Sequence, residues 1–184
     1  MDRNEAHIIL RILNGETSLF GYFLQKYGEQ VFHLILRIVG NREDAEELTQ
    51  DVFLKAFGQL SGFRGKSSFS TWLYAIAYHT AVSHVRKQNF ATSVMDEQEL
   101  SALSDKVVDE ALDEENEERI ALLHHAIGQL EAEEQAIVTL FYEEEKSLHD
   151  LARITGLTES NLKVKLHRIR KKLYLLMKKE EEKL

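Results

Sequence analysis

Residues 147–172 read SLHDLARITGLTESNLKVKLHRIRKK, and the rest of the chain is organised around this stretch. Ser147 followed by Asp150 three residues later is a capping pattern, and Leu148, Leu151, Ala152 and Ile154 supply the apolar positions of a short helix. Gly156 ends that helix and Thr158 caps a second one. In the second helix Leu162, Leu166, Ile169 and Leu173 recur at spacings of four, three and four, which places them on one buried stripe. Ser160, Lys163, Val164, His167, Arg168 and Lys171 fall on the opposite side, with Asn161 at its edge. Two helices, a tight turn and a basic outer face are the parts of a helix-turn-helix. Its second helix fits a DNA major groove, where Lys and Arg read guanine edges and Asn reads adenine. The plainer alternative is a helical hairpin with a solvated basic face. Local charge favours the DNA reading: residues 147–179 carry nine Lys or Arg against two acids.

That concentration of base stands inside an acidic chain of net charge -8. Residues 1–90 carry ten bases and nine acids, residues 91–146 three and seventeen, and residues 180–184 one and three. The acidic middle repels phosphate and competes for the basic helix, so the free chain is expected to bind DNA poorly and to need a partner.

The 184 residues contain no cysteine, which excludes a disulfide framework and a thiolate metal site. The start, MDRNEAHIIL, lacks the apolar core of a signal peptide, and His33 and Arg37 interrupt the longest apolar stretch. A soluble, cytoplasmic protein with no membrane insertion is expected. With no proline and few alternating patterns, the chain is predicted to be all-α.

The first ninety residues read as one small helical domain. A short helix about Ala6–Leu13 precedes a long one in which Phe20, Phe23, Leu24, Tyr27, Val31, Leu34, Ile35 and Ile38 form a core stripe. Gly40 closes it, and Asn41 with Asp44 caps a third helix running to about Phe57. There Ala45, Leu48, Val52, Phe53 and Ala56 are the buried face, whereas Glu47, Gln50, Asp51 and Leu54 line another side, either solvated or a docking surface. A glycine- and serine-rich loop then leads into a helix from about Ser70. Around both, Arg64, Lys66, Arg86 and Lys87 interleave with Phe63, Phe69, Trp72, Tyr74 and Tyr78. That mixture suits single-stranded nucleic acid, with cations on phosphates and rings on unpaired bases, although more than half of these aromatics are expected to be core. Residues 91–116 lose the periodicity apart from a short helical turn about Glu97–Leu103, and read as an acidic linker. Ile120, Leu123, Ile127 and Leu130, then Ile137, Leu140 and Phe141, begin a second helical domain that the helix-turn-helix completes.

Three stretches, DAEELTQDVFLKAF from Asp44, FRGKSSFSTWLYAIA from Phe63 and GLTESNLKVKLHRIRKKL from Gly156, make the chain resemble bacterial RNA polymerase sigma factors of the extracytoplasmic-function group. The resemblance implies two small helical domains joined by the acidic linker: residues 1–90 as sigma region 2, 91–116 as linker, 117–179 as region 4 and 180–184 as a tail. It implies that Glu47, Gln50, Asp51 and Leu54 dock on the coiled coil of the beta-prime subunit of core RNA polymerase. It implies that Arg64, Lys66, Ser67, Ser68 and Phe69 hold a flipped base of the single-stranded minus-10 element. Tyr78, His79 and Ser83 then face adjoining promoter bases, with Arg86 and Lys87 on phosphates. Ser160, Asn161, Lys163, Val164, His167, Arg168 and Lys171 read the double-stranded minus-35 element. An anti-sigma factor is the implied regulatory partner, and a stress or envelope-signal regulon the implied target. Several positions depart from the family pattern: His79 stands where Asn is common, Ala75 where Arg is common, a proline usual near Glu131 is missing, and Glu145 replaces a common turn glycine.

No catalytic residue, metal site or cofactor is expected. The eight histidines show no ligand spacing, the acidic run 109–118 lacks the glycine of a calcium loop, and no phosphate-cradling glycine motif is present. The alternative function is a stand-alone helix-turn-helix activator or repressor, which leaves the FRGKSSFSTWL stretch without a role.

Overall fold

The computed structural model describes residues 2–88, 103–112 and 117–182. Among these the regular structure is helical throughout, with no strand. Helix α1 (Arg3–Leu13) is capped by the Asp2 carboxylate, a 3-10 turn at Thr17–Phe20 follows, and α2 (Gly21–Val39) stops where Gly40 takes a left-handed φ of 70°. Helix α3 (Arg42–Gln59) begins as expected at Asn41, whose side-chain oxygen accepts from the Glu43 and Asp44 amides at 2.8 and 3.2 Å. Helix α4 (Phe69–Gln88) completes the first domain by packing on α2 and α3. Glu5, buried on α1, ties α1 to α2 by accepting from Lys26 at 2.8 Å and from the Tyr27 hydroxyl.

The second domain contains α6 (Glu117–Gly128), α7 (Ala132–Val138) followed by a π-helical turn at Thr139–Glu143, α8 (Leu148–Thr155) and α9 (Glu159–Glu181). Helix α9 continues two residues into the expected tail. Between the domains lies α5 (Asp105–Leu112), packed against α9. The linker therefore holds a helix that loss of periodicity did not predict, while the turn expected about Glu97–Leu103 falls, save for Leu103, outside the described residues.

The apolar stripes sort as expected with two exceptions. Phe23, Val31, Leu34, Ile35 and Ile38 are buried, but Leu24 is half exposed on the flank of α2, and Ile120 likewise stands out from α6. Each lies on the edge of its stripe.

The two domains are in contact. Helix α8 lies along α4, and α7 lies against α2, so the buried residues of both halves form one continuous core.

Candidate nucleic-acid interface

The helix-turn-helix forms for the reasons its sequence suggests. The Ser147 hydroxyl accepts from the Asp150 amide at 3.1 Å, Gly156 ends α8 with φ 78°, and the Thr158 hydroxyl accepts from the Asn161 amide at 3.2 Å. Leu162, Leu166, Ile169 and Leu173 are all buried, extended one turn by Met177. This rotation turns Ser160, Asn161, Lys163, Val164, His167 and Arg168 outward, Val164 being 52% exposed, while Lys171 is largely covered. A large apolar side chain held open among polar and basic ones suits contact with a thymine methyl group.

On α3, Glu47, Gln50, Asp51 and Leu54 share one open face, and Leu54 is 69% exposed. Opposite them Ala45, Leu48, Val52, Phe53 and Ala56 are buried, so the face is separated from the core by half a helical turn. Next to it, a cavity of about 370 Å³ between α3 and α4 is lined by Asp51 and Lys55 on one wall and His79, Ser83 and Lys87 on the other.

The loop before α4 turns at Gly65, whose φ is 65°, and this leaves Arg64 and Lys66 in solvent. Ser67 and Ser68 are half-buried. The Ser68 hydroxyl is committed to the start of α4: it accepts from the Thr71 amide at 3.0 Å and lies 2.7 Å from the Thr71 hydroxyl. Two of the expected base-contacting residues are placed in the core instead. Phe69 has no exposed surface and stacks on Phe23 with centroids 3.9 Å apart, beside Phe63 and Trp72. Tyr78 is 5% exposed, and burial, helped by the Glu133 charge, pushes its phenol up to about 12. Both face inward because their helix positions fall with Leu73, Tyr74, Ala77, Ala81 and Val82, all buried. Three of the five aromatics of this stretch are core, and Phe63 and Trp72 are packed on them. His79, Ser83, Arg86 and Lys87 remain exposed on the outer side of α4.

The second domain covers part of this surface through polar contacts that span long sequence separations. The Thr71 hydroxyl donates to Asp150 at 3.0 Å, Arg153 donates to the Lys66 carbonyl, and the Tyr74 hydroxyl donates to Glu144. Lys146 sits 4.7 Å from the Tyr74 ring centre, and burial together with Glu144 raises the Tyr74 phenol far above its ordinary range. Arg86 pairs with Glu133, which also accepts from Lys165 at 3.2 Å. Burial alone would raise the Glu133 carboxyl, but Lys165 and Arg86 outweigh it and hold that group below its usual range. None of these pairings is local, so no spacing in the sequence marks them.

Among the described residues no group of three or more His, Asp or Glu is placed to hold a metal ion, and no helix is long and apolar enough to cross a membrane. Two departures from the family pattern are resolved locally. Glu131 heads α7 with its amide donating to the Glu134 carboxylate at 3.2 Å, and Glu145 adopts a left-handed φ of 48°, a conformation that glycine takes at less cost.

Comparison with known proteins agrees with this arrangement. Residues 23–91 match the Sigma-70 region 2 family and residues 120–173 the Sigma-70 region 4 family. The RNA polymerase sigma factor YlaC of Bacillus subtilis is 30% identical, aligned over 86% of this chain and 91% of its own length. The ECF RNA polymerase sigma factor SigW of the same organism is 26% identical over 90% of this chain and 92% of its own. Among solved structures, CnrH in complex with the cytosolic domain of CnrY is 16% identical with a TM-score of 0.65, covering 93% of this chain and 95% of that one. The sigma factor RpoE in complex with the anti-sigma factor NepR from Bartonella quintana is 21% identical with a TM-score of 0.63, covering 86% and 96%. These last two likenesses establish a common fold. With both conserved regions present in order and a relative aligned over nearly its whole length, the chain belongs to the extracytoplasmic-function sigma factors, with which bacterial RNA polymerase initiates transcription.

Proposed function

We propose that this sigma factor docks on core RNA polymerase through Glu47, Gln50, Asp51 and Leu54, and reads its promoter with two separate surfaces. The beta-prime coiled coil is the partner of the first face. Arg64, Lys66, Ser67 and Ser68 with His79, Ser83, Arg86 and Lys87 receive the single-stranded minus-10 element, supported from beneath by Phe69 and Tyr78. Ser160, Asn161, Lys163, Val164, His167, Arg168 and Lys171 read the duplex minus-35 element. The supporting observation is that the residues of this last set lie opposite the buried stripe of α9, with Val164 open at their centre.

The functional units are residues 1–90, the linker 91–116, residues 117–179 and a short tail. Two elements about one and a half duplex turns apart lie roughly 50 Å from each other at ~34 Å per turn. The linker's 26 residues include 8 in α5. Eight helical residues at ~1.5 Å and eighteen extended ones at ~3.4 Å reach roughly 73 Å. The linker therefore spans the distance with α5 intact, provided α8 leaves α4. Opening of the duplex is offset by base capture in the loop before α4. The protein acts in the cytoplasm without catalytic groups of its own, for a stress or envelope-signal regulon, under an anti-sigma factor of the kind NepR is to RpoE.

The test is a footprint of polymerase carrying this chain on the region upstream of its gene. Lys163→Glu is expected to erase protection at the upstream element, and Lys66→Glu with Lys87→Glu to prevent strand opening while upstream protection persists. A polymerase footprint that does not depend on the chain, while the chain alone protects the promoter, would instead establish the stand-alone activator or repressor.

A further inference from the structure

Helix α5 lies against the middle of the helix assigned to minus-35 reading, beside His167 to Leu173. The Asp105 carboxylate pairs with Lys171 Nζ at 3.0 Å and lies 3.3 Å from His167 Nε2. Lys171 holds the Asp105 carboxyl below its ordinary range and is itself left only 12% exposed. The helix is seated by its apolar side: Val108 is 2% exposed, and Leu112 lies against a cavity it shares with Ile169 and Leu173. The carboxylate is thus where an oxygen anion meets Lys171, beside His167, and the apolar contacts, more than an ion pair whose Asp105 partner is 63% exposed, keep α5 in place.

We propose that α5 is an intramolecular competitor for promoter DNA, with Asp105 standing in for a backbone phosphate on Lys171. The proposal rests on α9 being the minus-35 reader. A lysine already neutralised by a carboxylate releases no counterion when DNA arrives, so in the closed chain it contributes nothing to affinity or to its salt dependence. Because the acid is tethered a short way from its target, it competes at a high effective concentration. Full engagement of DNA along α9 therefore requires Asp105 to leave Lys171. The N-terminal turns of α9, bearing Ser160, Asn161, Lys163 and Val164, stay open throughout. The competitor consequently limits the strength of binding without hiding the base-reading end.

The experiment compares the full chain and its Asp105→Asn variant for binding to a fluorescein-labelled duplex from the region upstream of its gene, across a salt series. Removing the charge is expected to tighten binding about fivefold at low salt. It should also steepen the slope of log affinity against log salt by ~0.9, the value of one added phosphate contact. In a Lys171→Gln background the Asp105→Asn change is expected to do nothing, because the cation it frees is gone. An unchanged slope and affinity in Asp105→Asn, while Lys163→Glu still weakens binding, overturns the competitor and leaves the minus-35 assignment standing. Tighter binding that persists in the Lys171→Gln background also overturns it, since a general loss of repulsion then explains the gain. Binding insensitive to Lys163→Glu, Lys171→Gln and Asp105→Asn alike refutes the minus-35 assignment itself.

Discussion

Replacing Glu145 by glycine is predicted to stabilise the protein, although it removes a side chain from a turn. Glu145 has a φ of 48° and an exposed side chain. The conformation is imposed by its neighbours: the Glu144 amide donates to the Thr139 carbonyl at 2.9 Å and the Lys146 amide to the Leu140 carbonyl at 2.9 Å. Holding an L-residue in the left-handed region costs ~1–2 kcal/mol, through the approach of Cβ to the following carbonyl. Glycine avoids that cost but gives back ~0.4–1 kcal/mol through its freer unfolded chain. The expected net gain is about 0.5–1 kcal/mol, a rise of roughly 1–4 °C in Tm for a chain of this size. Charge is controlled by the Glu145→Ala variant, which loses the same carboxylate beside Glu143 and Glu144 but keeps the strained φ. Thermal unfolding followed by circular dichroism should rank glycine above alanine by about 0.5–1 kcal/mol. Alanine equal to or above glycine would refute the claim that backbone strain is stored at this turn.

Other surfaces give independent tests. Tyr74→Phe leaves Glu144 without its phenol donor, a loss of ~1.5–3 kcal/mol for a hydrogen bond to a charged group. The separated form of the two domains should rise about tenfold or more, read as a longer distance between dyes on cysteines introduced at Glu29 and Lys179 of the cysteine-free chain. Leu54→Asp is predicted to lower affinity for core polymerase at least tenfold, on a labelled-chain titration. Its stability should stay within ~0.5 kcal/mol, because the side chain is 69% exposed. Tyr27 and Tyr78 are both raised to about 12 from an ordinary 10, in each case chiefly by burial. A raised folded-state value means their contribution is complete below pH 10 and disappears as pH climbs toward 12. Unfolding midpoints should therefore fall across that window, and substituting Phe at Tyr78 should flatten the decline.

Much of this architecture was legible because its signals are local. Gly40 and Gly156 end helices with positive φ, Asn41, Ser147 and Thr158 supply caps, and the Leu162 to Leu173 stripe fixes which side of α9 faces out. The open face of α3 was legible as a polar side carrying one leucine. The burial of Phe69 and Tyr78 is not legible for a physical reason: an aromatic beside arginines and lysines has the same composition whether it stacks on a base or on Phe23. Helix α5 was hidden by its acids, although Asp105, Val108 and Leu112 at offsets of zero, three and seven do mark one face. The domain contacts, from Thr71 to Asp150 and from Arg86 to Glu133, join positions tens of residues apart and leave no periodic trace.

The central claim, one chain serving polymerase and promoter through distinct faces, is tested most directly by run-off transcription. Core polymerase would be assayed with and without the protein on the region upstream of its gene, with Gln50→Ala and Lys163→Glu variants in parallel. Specific transcripts that require the protein and are lost or sharply reduced in both variants are predicted. Transcripts that appear equally without the protein, while the protein alone binds the promoter, would contradict it.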